Sequence, residues 1–428
     1  MGARDDYLPR SGDSGYRVAE YDLEIDYRVG PGRLTGRARI VAVAEGQLRR
    51  LTLDLAAPLR VAKVAVDGRL ARYGHVGGKL TVTPARPLAA GAAFTVDIRY
   101  SGNPAPIRGR WGDIGWDHLD DGVLVAAQPI GAPSWFPCND HPSDKAAYRI
   151  AVTTASAYQV MVTGVLESTR RSSSTTTWVY RLAAPTPTYL VSVQIGRYVL
   201  HHSPGQVPTT VAAPARAAAA ARHDFARQQR MIAEFGALFG PYPFPEYSVV
   251  VADADLDVPV EAQALSVFGT NHVDGRRGSE RLIAHELAHQ WFGNSLTIAA
   301  WRHIWLNEGF ATYAEWLWSE ASGGLPAATH AGRARRELAA APQDLVLADP
   351  GVDRLFDDRV YLRGALTLHA LRGRLGEERF WALVAAWVEG HAYGTVTTEG
   401  FLAHCAAYGD VVGLLSAWVL SPALPRAA

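Results

Sequence analysis

The run YDLEIDYRV, residues 21–29, alternates without interruption: Tyr21, Leu23, Ile25, Tyr27 and Val29 fall on one face, and Asp22, Glu24, Asp26 and Arg28 on the other. A period of two is that of a strand with one face buried and one in water. Runs of the same texture follow in RARIVAVA, LRVAKVAVDG, FTVDIRY, YRIAVTT, YQVMVTG, TTTWVYRL and YLVSVQIG, separated by Gly, Pro, Ser and Asp. About the first 200 residues therefore read as an antiparallel sheet domain.

The period changes after HHSPGQVPTT. In ARAAAAARHDFARQQRMIAEFGALFG the residues Phe225, Met231, Ile232, Phe235 and Leu238 recur at helical spacing, and the alanine-rich lead-in favours one packed helix. A strand, PEYSVVVAD, interrupts, and nearly everything after residue 279 reads as helices joined by loops. The boundary is placed at the Pro/Gly/Ser/Thr stretch, giving residues 1–204 to the sheet domain and 205–428 to a mainly helical one, an α+β multi-domain fold.

With 48% hydrophobic and 20% charged residues in 428, the chain can bury proper cores, which excludes disordered and fibrous classes. Lys plus Arg and Asp plus Glu both number 42, so no bulk attraction draws it to nucleic acid or to an anionic membrane. With only two cysteines, Cys138 and Cys405, far apart in sequence, no disulfide framework is expected. The start, MGARDDYLPRSGDSG, has no apolar signal region, and no stretch reaches the roughly 18 apolar residues of a membrane span. The expectation is a soluble cytoplasmic protein with no membrane or nucleic-acid partner.

Chemistry enters at HELAHQWFGN, residues 285–294, where two histidines and a glutamate interrupt an apolar helical run. Burying that polarity without a partner costs several kcal/mol, roughly speaking. Residues four apart on a helix differ by about 40° in azimuth, so His285 and His289 reach one ion, while Glu286 stands about 100° away and stays beside it. Two imidazole ligands with a neighbouring carboxylate free to take a proton are what a zinc peptidase needs. Gly293 and Asn294 then supply a helix C-terminal signal. A catalytic zinc wants a third protein ligand, and Glu308, in LNEGFATYAEW, follows His289 after 18 residues at the head of another apolar helix.

These motifs resemble the zinc aminopeptidases related to aminopeptidase N. WFPCNDHPSDKAAYRIAV is similar to the family's sheet-domain signature, HELAHQWFGN with WLNEGFATYAEW to its zinc site, and YLRGALTLHALR to its later tyrosine motif. The resemblance implies a saddle-shaped sheet domain followed by a thermolysin-like catalytic domain. It implies that His285, His289 and Glu308 bind one zinc, that Glu286 is the general base, and that Tyr361 stabilises the tetrahedral oxyanion. It also implies that Glu261, in DVPVEAQALSVFG, grips the substrate's free α-amine, with Gln128, in VAAQPIGAPSWFPC, reaching the same amine. Val258, Pro259, Val260 and Ala262 depart from the family's Gly-x-Met-Glu-Asn strand around that glutamate. His303 stands where longer relatives carry an acidic residue near the zinc, and Arg363 replaces the lysine of the tyrosine motif.

The chain ends at SAWVLSPALPRAA, without the C-terminal helical domain of long family members, which implies an open cleft. The expected function is a zinc-dependent aminopeptidase acting on peptides with a free N-terminus. Two alternatives remain beside it: an endopeptidase using the open cleft, and a non-catalytic peptide-binding protein stabilised by zinc. A structural site, however, has no use for a free Glu286 beside the metal.

Overall fold

The computed structural model describes residues 4–425. The alternation that opens the sequence becomes a strand, Tyr16–Arg28, with Tyr21, Leu23, Ile25 and Tyr27 fully buried and Glu24, Asp26 and Arg28 exposed. This strand lies inside an eight-stranded sheet. The order is Val165–Ser172, Thr175–Thr186, Ala146–Ala155, Tyr16–Arg28, Arg33–Ala44, Ala93–Gly102, Leu59–Val66 and Arg69–Leu70. The pairings described in it are antiparallel except one: Tyr16–Arg28 runs parallel to Ala146–Ala155. On the polar face of that parallel pair, Asp22 stands opposite Arg149 and binds it at 2.9 Å.

The motif WFPCND is wholly buried. Trp135 and Phe136 join the aromatic core with Trp116, Tyr21 and Tyr148, the two tyrosines stacked at 4.9 Å. Cys138 exchanges backbone hydrogen bonds with Asp54, and the Asn139 amide donates to Asp144 at 2.5 Å. Asp54 pairs with Lys79, and Asp140 accepts from the Thr188 hydroxyl at 2.6 Å. Burial, and then the neighbouring Asp54 carboxylate, pushes Asp140 up to about 7; burial, with a smaller push from Glu45, takes Asp144 to about 7 as well.

A carboxyl that binds its proton more tightly folded than unfolded makes folding take up that proton. Stability should therefore fall as pH rises between about 4 and 7, by at most about 1.4 kcal/mol per pH unit for each such group. Denaturant unfolding at pH 5 and 7.5 should show this decline, and Asp140→Asn should lessen it, leaving the share of Asp144. A pH-independent midpoint over that range would contradict it.

Packing divides the chain into two compact units that do not follow a single cut. The first holds residues 1–203, 210–221 and 245–272, and the second 204–209, 222–244 and 273–428. The reason is a five-stranded sheet in the order Tyr198–Ser203, Thr209–Pro214, Tyr247–Ala252, Leu265–Gly269, Val260–Ala262. Its side chains Val250, Ala252 and Val267 share one core with Leu124 and Met161. The strand Tyr247–Ala252, buried along its whole length, pairs in parallel with Leu265–Gly269. Val260–Ala262 then closes the sheet as an antiparallel edge strand.

After a short helix α1, Ala218–Asp224, the remaining helices are α2, Gln228–Phe239; α3, Glu280–Ala288; α4, Trp305–Ala321; α5, Ala327–Ala340; α6, Asp358–Leu375; α7, Glu377–Gly390; α8, Thr398–Ala406; and α9, Val412–Val419. The single helix expected over the alanine-rich segment is broken by a turn of 3₁₀ helix at Phe225–Arg227. There Asp224 turns its carboxylate onto the backbone N–H groups of Asp274, Gly275 and Arg277, fixing the loop that leads into α3. No helix among the described residues is long and apolar enough to cross a membrane.

Candidate metal centre

The helix α3 ends earlier than its Gly-Asn signal predicts, with His289 already its C-cap. Gln290 to Asn294 form turns closed by backbone bonds from Asn294 N–H to His289 O and from Gly293 N–H to Leu296 O. Gly293 takes φ +121°, a conformation open to glycine. The turn is held by its apolar residues: Trp291 packs on Phe235 and Phe239 of α2, and Phe292 stacks on Phe310 of α4 at 4.0 Å. A short helix is enough because this packing, rather than further turns, fixes the second histidine.

His285, His289 and Glu308 converge in the second unit, all three buried, with their ligand atoms within 4.8 Å of one another. His285 Nδ1–H donates to Glu315 Oε1 at 2.7 Å, and His289 Nδ1–H donates to the Phe292 carbonyl at 3.0 Å. Each bond fixes a tautomer and leaves the Nε2 lone pair pointing inward. Both Nε2 atoms lie 3.4 Å from Glu308 Oε2. A tetrahedral ion with ligands at about 2.0–2.1 Å has ligand-to-ligand edges of about 3.3–3.4 Å, so the spacing fits zinc.

The electrostatics agree. Burial opposes a charged ring at His285, yet the hydrogen bonds to Glu308 and Glu315 outweigh it and lift the ring well above the ordinary imidazole range. Burial likewise opposes ionisation of Glu308, but His289 and His285 hold its carboxyl down to about 2. The group as a whole calls for positive charge at its centre. Glu286, one residue after the first histidine, is 3% exposed, so its carboxylate is held inside the same helix packing.

Glu315 is the residue that sequence reasoning missed. It lies seven positions, about two helical turns, beyond Glu308 and so on the same face of α4, which is the signal that could have found it. Its second oxygen accepts from Arg281 Nη1 at 2.8 Å, making a chain from arginine to carboxylate to imidazole. Glu315→Gln keeps the shape and removes one of the charges, after Glu308, that make His285 basic. It should weaken metal affinity about tenfold, and Glu315→Ala more nearly 100-fold, as read by competition with a chromogenic chelator. Unchanged affinity in both would contradict the role.

His303 belongs elsewhere: its Nδ1 accepts from the Thr398 backbone N–H at 3.2 Å, at the start of α8. Tyr361, on the fourth residue of α6, stacks its ring on His285 at 6.1 Å and 20°. In the first unit, Glu261 lies on the edge strand, buried, opposite Ser266. Gln128 Nε2 donates to Glu261 Oε1 at 2.7 Å, joining residues 133 apart in sequence. Two side chains that the resemblance directs to one amine thus also bond to each other.

Two inward-facing imidazoles and a carboxylate, with a further glutamate on the first helix, define the class as a zinc metallopeptidase fold and site. Residues 224–418 match the Peptidase family M1 domain and residues 19–190 the Peptidase M1 N-terminal domain; the chain belongs to peptidase family M1. It is similar to Aminopeptidase M1 of Arabidopsis thaliana, 27% identical over 71% of this chain and 37% of that one. It is also similar to the Leucyl aminopeptidase of Saccharolobus solfataricus, 22% identical over 96% of this chain and 54% of that one. The chain thus spans between about a third and a half of the length of these relatives.

Among solved structures, the M1 zinc metallopeptidase of Deinococcus radiodurans, a mutant form bound to a Tyr-Ser-Ala substrate, is 28% identical with a TM-score of 0.92. That match covers 100% of this chain and 99% of the other. The same enzyme without the mutation is 29% identical with a TM-score of 0.91.

Proposed function

We propose that the chain is a zinc-dependent aminopeptidase that removes N-terminal residues from peptides, residues 1–204 serving as its sheet domain and 205–428 as its catalytic domain. The observation that carries this reading is the meeting of two oriented imidazole Nε2 atoms with Glu308 Oε2 at 3.4 Å, on helices that also carry Glu286 and Glu315. In this reading His285, His289 and Glu308 hold zinc, which when bound supplies an acidified water and a Lewis-acid contact for the scissile carbonyl.

The remaining work falls to the chain's own side chains. Glu286 takes the proton of the attacking water and delivers it to the leaving amine, so that one carboxylate serves as base and then as acid. The Tyr361 hydroxyl donates to the carbonyl oxygen as that atom gains negative charge. Glu261, with Gln128 bonded to it, receives the substrate's α-ammonium and sets the register to one residue. A buried carboxylate suits a cationic ligand, because an opposite charge close by favours its ionised form.

The test compares a free-amine peptide with its N-acetylated form, in the wild type and in Glu261→Ala. Hydrolysis of the free form alone is expected, with kcat/KM reduced at least tenfold by the variant; losing one charged partner costs about 2 kcal/mol or more. Equal cleavage of both forms would replace this reading by an endopeptidase. Support for the substrate class comes from the aminopeptidases and the peptide-bound metallopeptidase to which the chain is similar.

A further inference from the structure

The Arg363 guanidinium is buried, and its hydrogen bonds among the described residues all go to backbone carbonyls. Its Nε donates to Trp418 O at 2.8 Å, Nη1 to Leu345 O at 3.1 Å and Pro422 O at 2.7 Å, and Nη2 to Ala417 O, Ser421 O and Ala423 O at 3.5, 2.5 and 3.1 Å. Six backbone carbonyls, five of them from the end of α9 and the segment after it, thus close around one cation borne by α6. Burial lowers the guanidinium only to about 10, so it keeps its charge at neutral pH. The segment is tied down a second time, by Leu424 N–H donating to Gln343 Oε1 at 2.7 Å.

One turn earlier on the same face, Arg359 Nη1 donates to Pro342 O at 3.0 Å and to Asp344 at 2.6 Å. Residues four apart share a helix face, and residues two apart point to opposite sides, about 200° around. Arg359 and Arg363 therefore fasten the back of the first turns of α6, and Tyr361 between them projects to the front, towards His285. On another side α6 crosses α4 at a pair of glycines, where the two backbones come close. A Cβ built on Gly364 would lie 2.7 Å from the Gly309 Cα, and Gly309 directly follows Glu308.

We infer that Arg363 is a positioning residue for the reaction, one that sets the Tyr361 hydroxyl by clamping α6 between the carbonyl cage behind it and the Gly309–Gly364 contact with α4. The inference rests on the proposed role of Tyr361. The first turn of a helix lacks half of its backbone hydrogen bonds and is the part most readily displaced. An oxyanion donor is useful only within a few tenths of an ångström, and misplacement by about 1 Å costs about 100-fold. With the back of the turn held by a rigid five-donor fork, the front is held as well.

The test is a double-mutant cycle on full-length, zinc-loaded protein with the aminoacyl reporter amide it cleaves best. Arg363→Met is expected to lower kcat about tenfold, with KM within about twofold and zinc content unchanged. In a Tyr361→Phe background the same substitution should cost less than about twofold, because the group it positions is gone. Arg363→Lys, which keeps the charge but can satisfy only three of the six carbonyls, should fall between wild type and Arg363→Met.

If Arg363→Met does not fold, Gly364→Ala, which forces α6 away from α4, carries the same cycle with the same expectation. An equal loss in both backgrounds, or no loss in kcat, overturns the inference. A Tyr361→Phe protein with full kcat is a separate result that removes the oxyanion role itself, and the positioning role with it.

Discussion

Glu286→Gln is expected to lower kcat for hydrolysis by about 10²- to 10⁴-fold while leaving zinc content and folding unchanged. The amide matches the carboxylate in shape and cannot take a proton. Three other residues make up the proposed ligand set, so the metal should stay: His285 and His289 are oriented by Glu315 and the Phe292 carbonyl, and Glu308 arrives from α4. Metal analysis and steady-state kinetics on one preparation check both halves. Loss of zinc in step with activity would make Glu286 a residue that builds the site; retention of both would remove it from the chemistry.

Tyr361→Phe carries the second largest expected effect, a loss in kcat of about 10²- to 10³-fold with KM nearly constant. The ring should remain stacked on His285, since the substitution removes only the hydroxyl. A donor that acts when the carbonyl oxygen gains charge contributes to the transition state and little to the ground state, so the loss should appear in kcat. A matching rise in KM with kcat unchanged would instead make the hydroxyl a ground-state binding contact.

The legible parts of this molecule were those with a local period. Alternation at Tyr21, Leu23, Ile25 and Tyr27 announced the strand and its buried face, and the four-residue spacing of His285 and His289 announced that their rings share a face, where the fold brings Glu308 to them. Nothing local predicts that Tyr16–Arg28 pairs in parallel with a strand more than 100 residues away, or that residues 245–272 pack with the first unit. Both follow from which apolar faces meet in three dimensions. Glu315 was hidden for a related reason. It reads as a polar residue inside an apolar helix, and its meaning depends on His285 arriving from another helix.

The resemblance to known aminopeptidases pointed Glu261 and Gln128 to one amine, and their mutual hydrogen bond became visible only in the fold. Arg363 looked like a conservative exchange of one cation for another. Its six carbonyl partners come from segments up to 60 residues away, and a planar fork serves them in a way an ammonium group does not.

The central claim is that zinc held by His285, His289 and Glu308 powers release of N-terminal residues. The most direct measurement is hydrolysis of a panel of aminoacyl reporter amides by the purified protein, before chelation, after it, and with zinc restored. The account predicts release that disappears with the chelator and returns at about one zinc per chain. Release that persists in metal-free protein, or none at all from protein holding stoichiometric zinc, would contradict it.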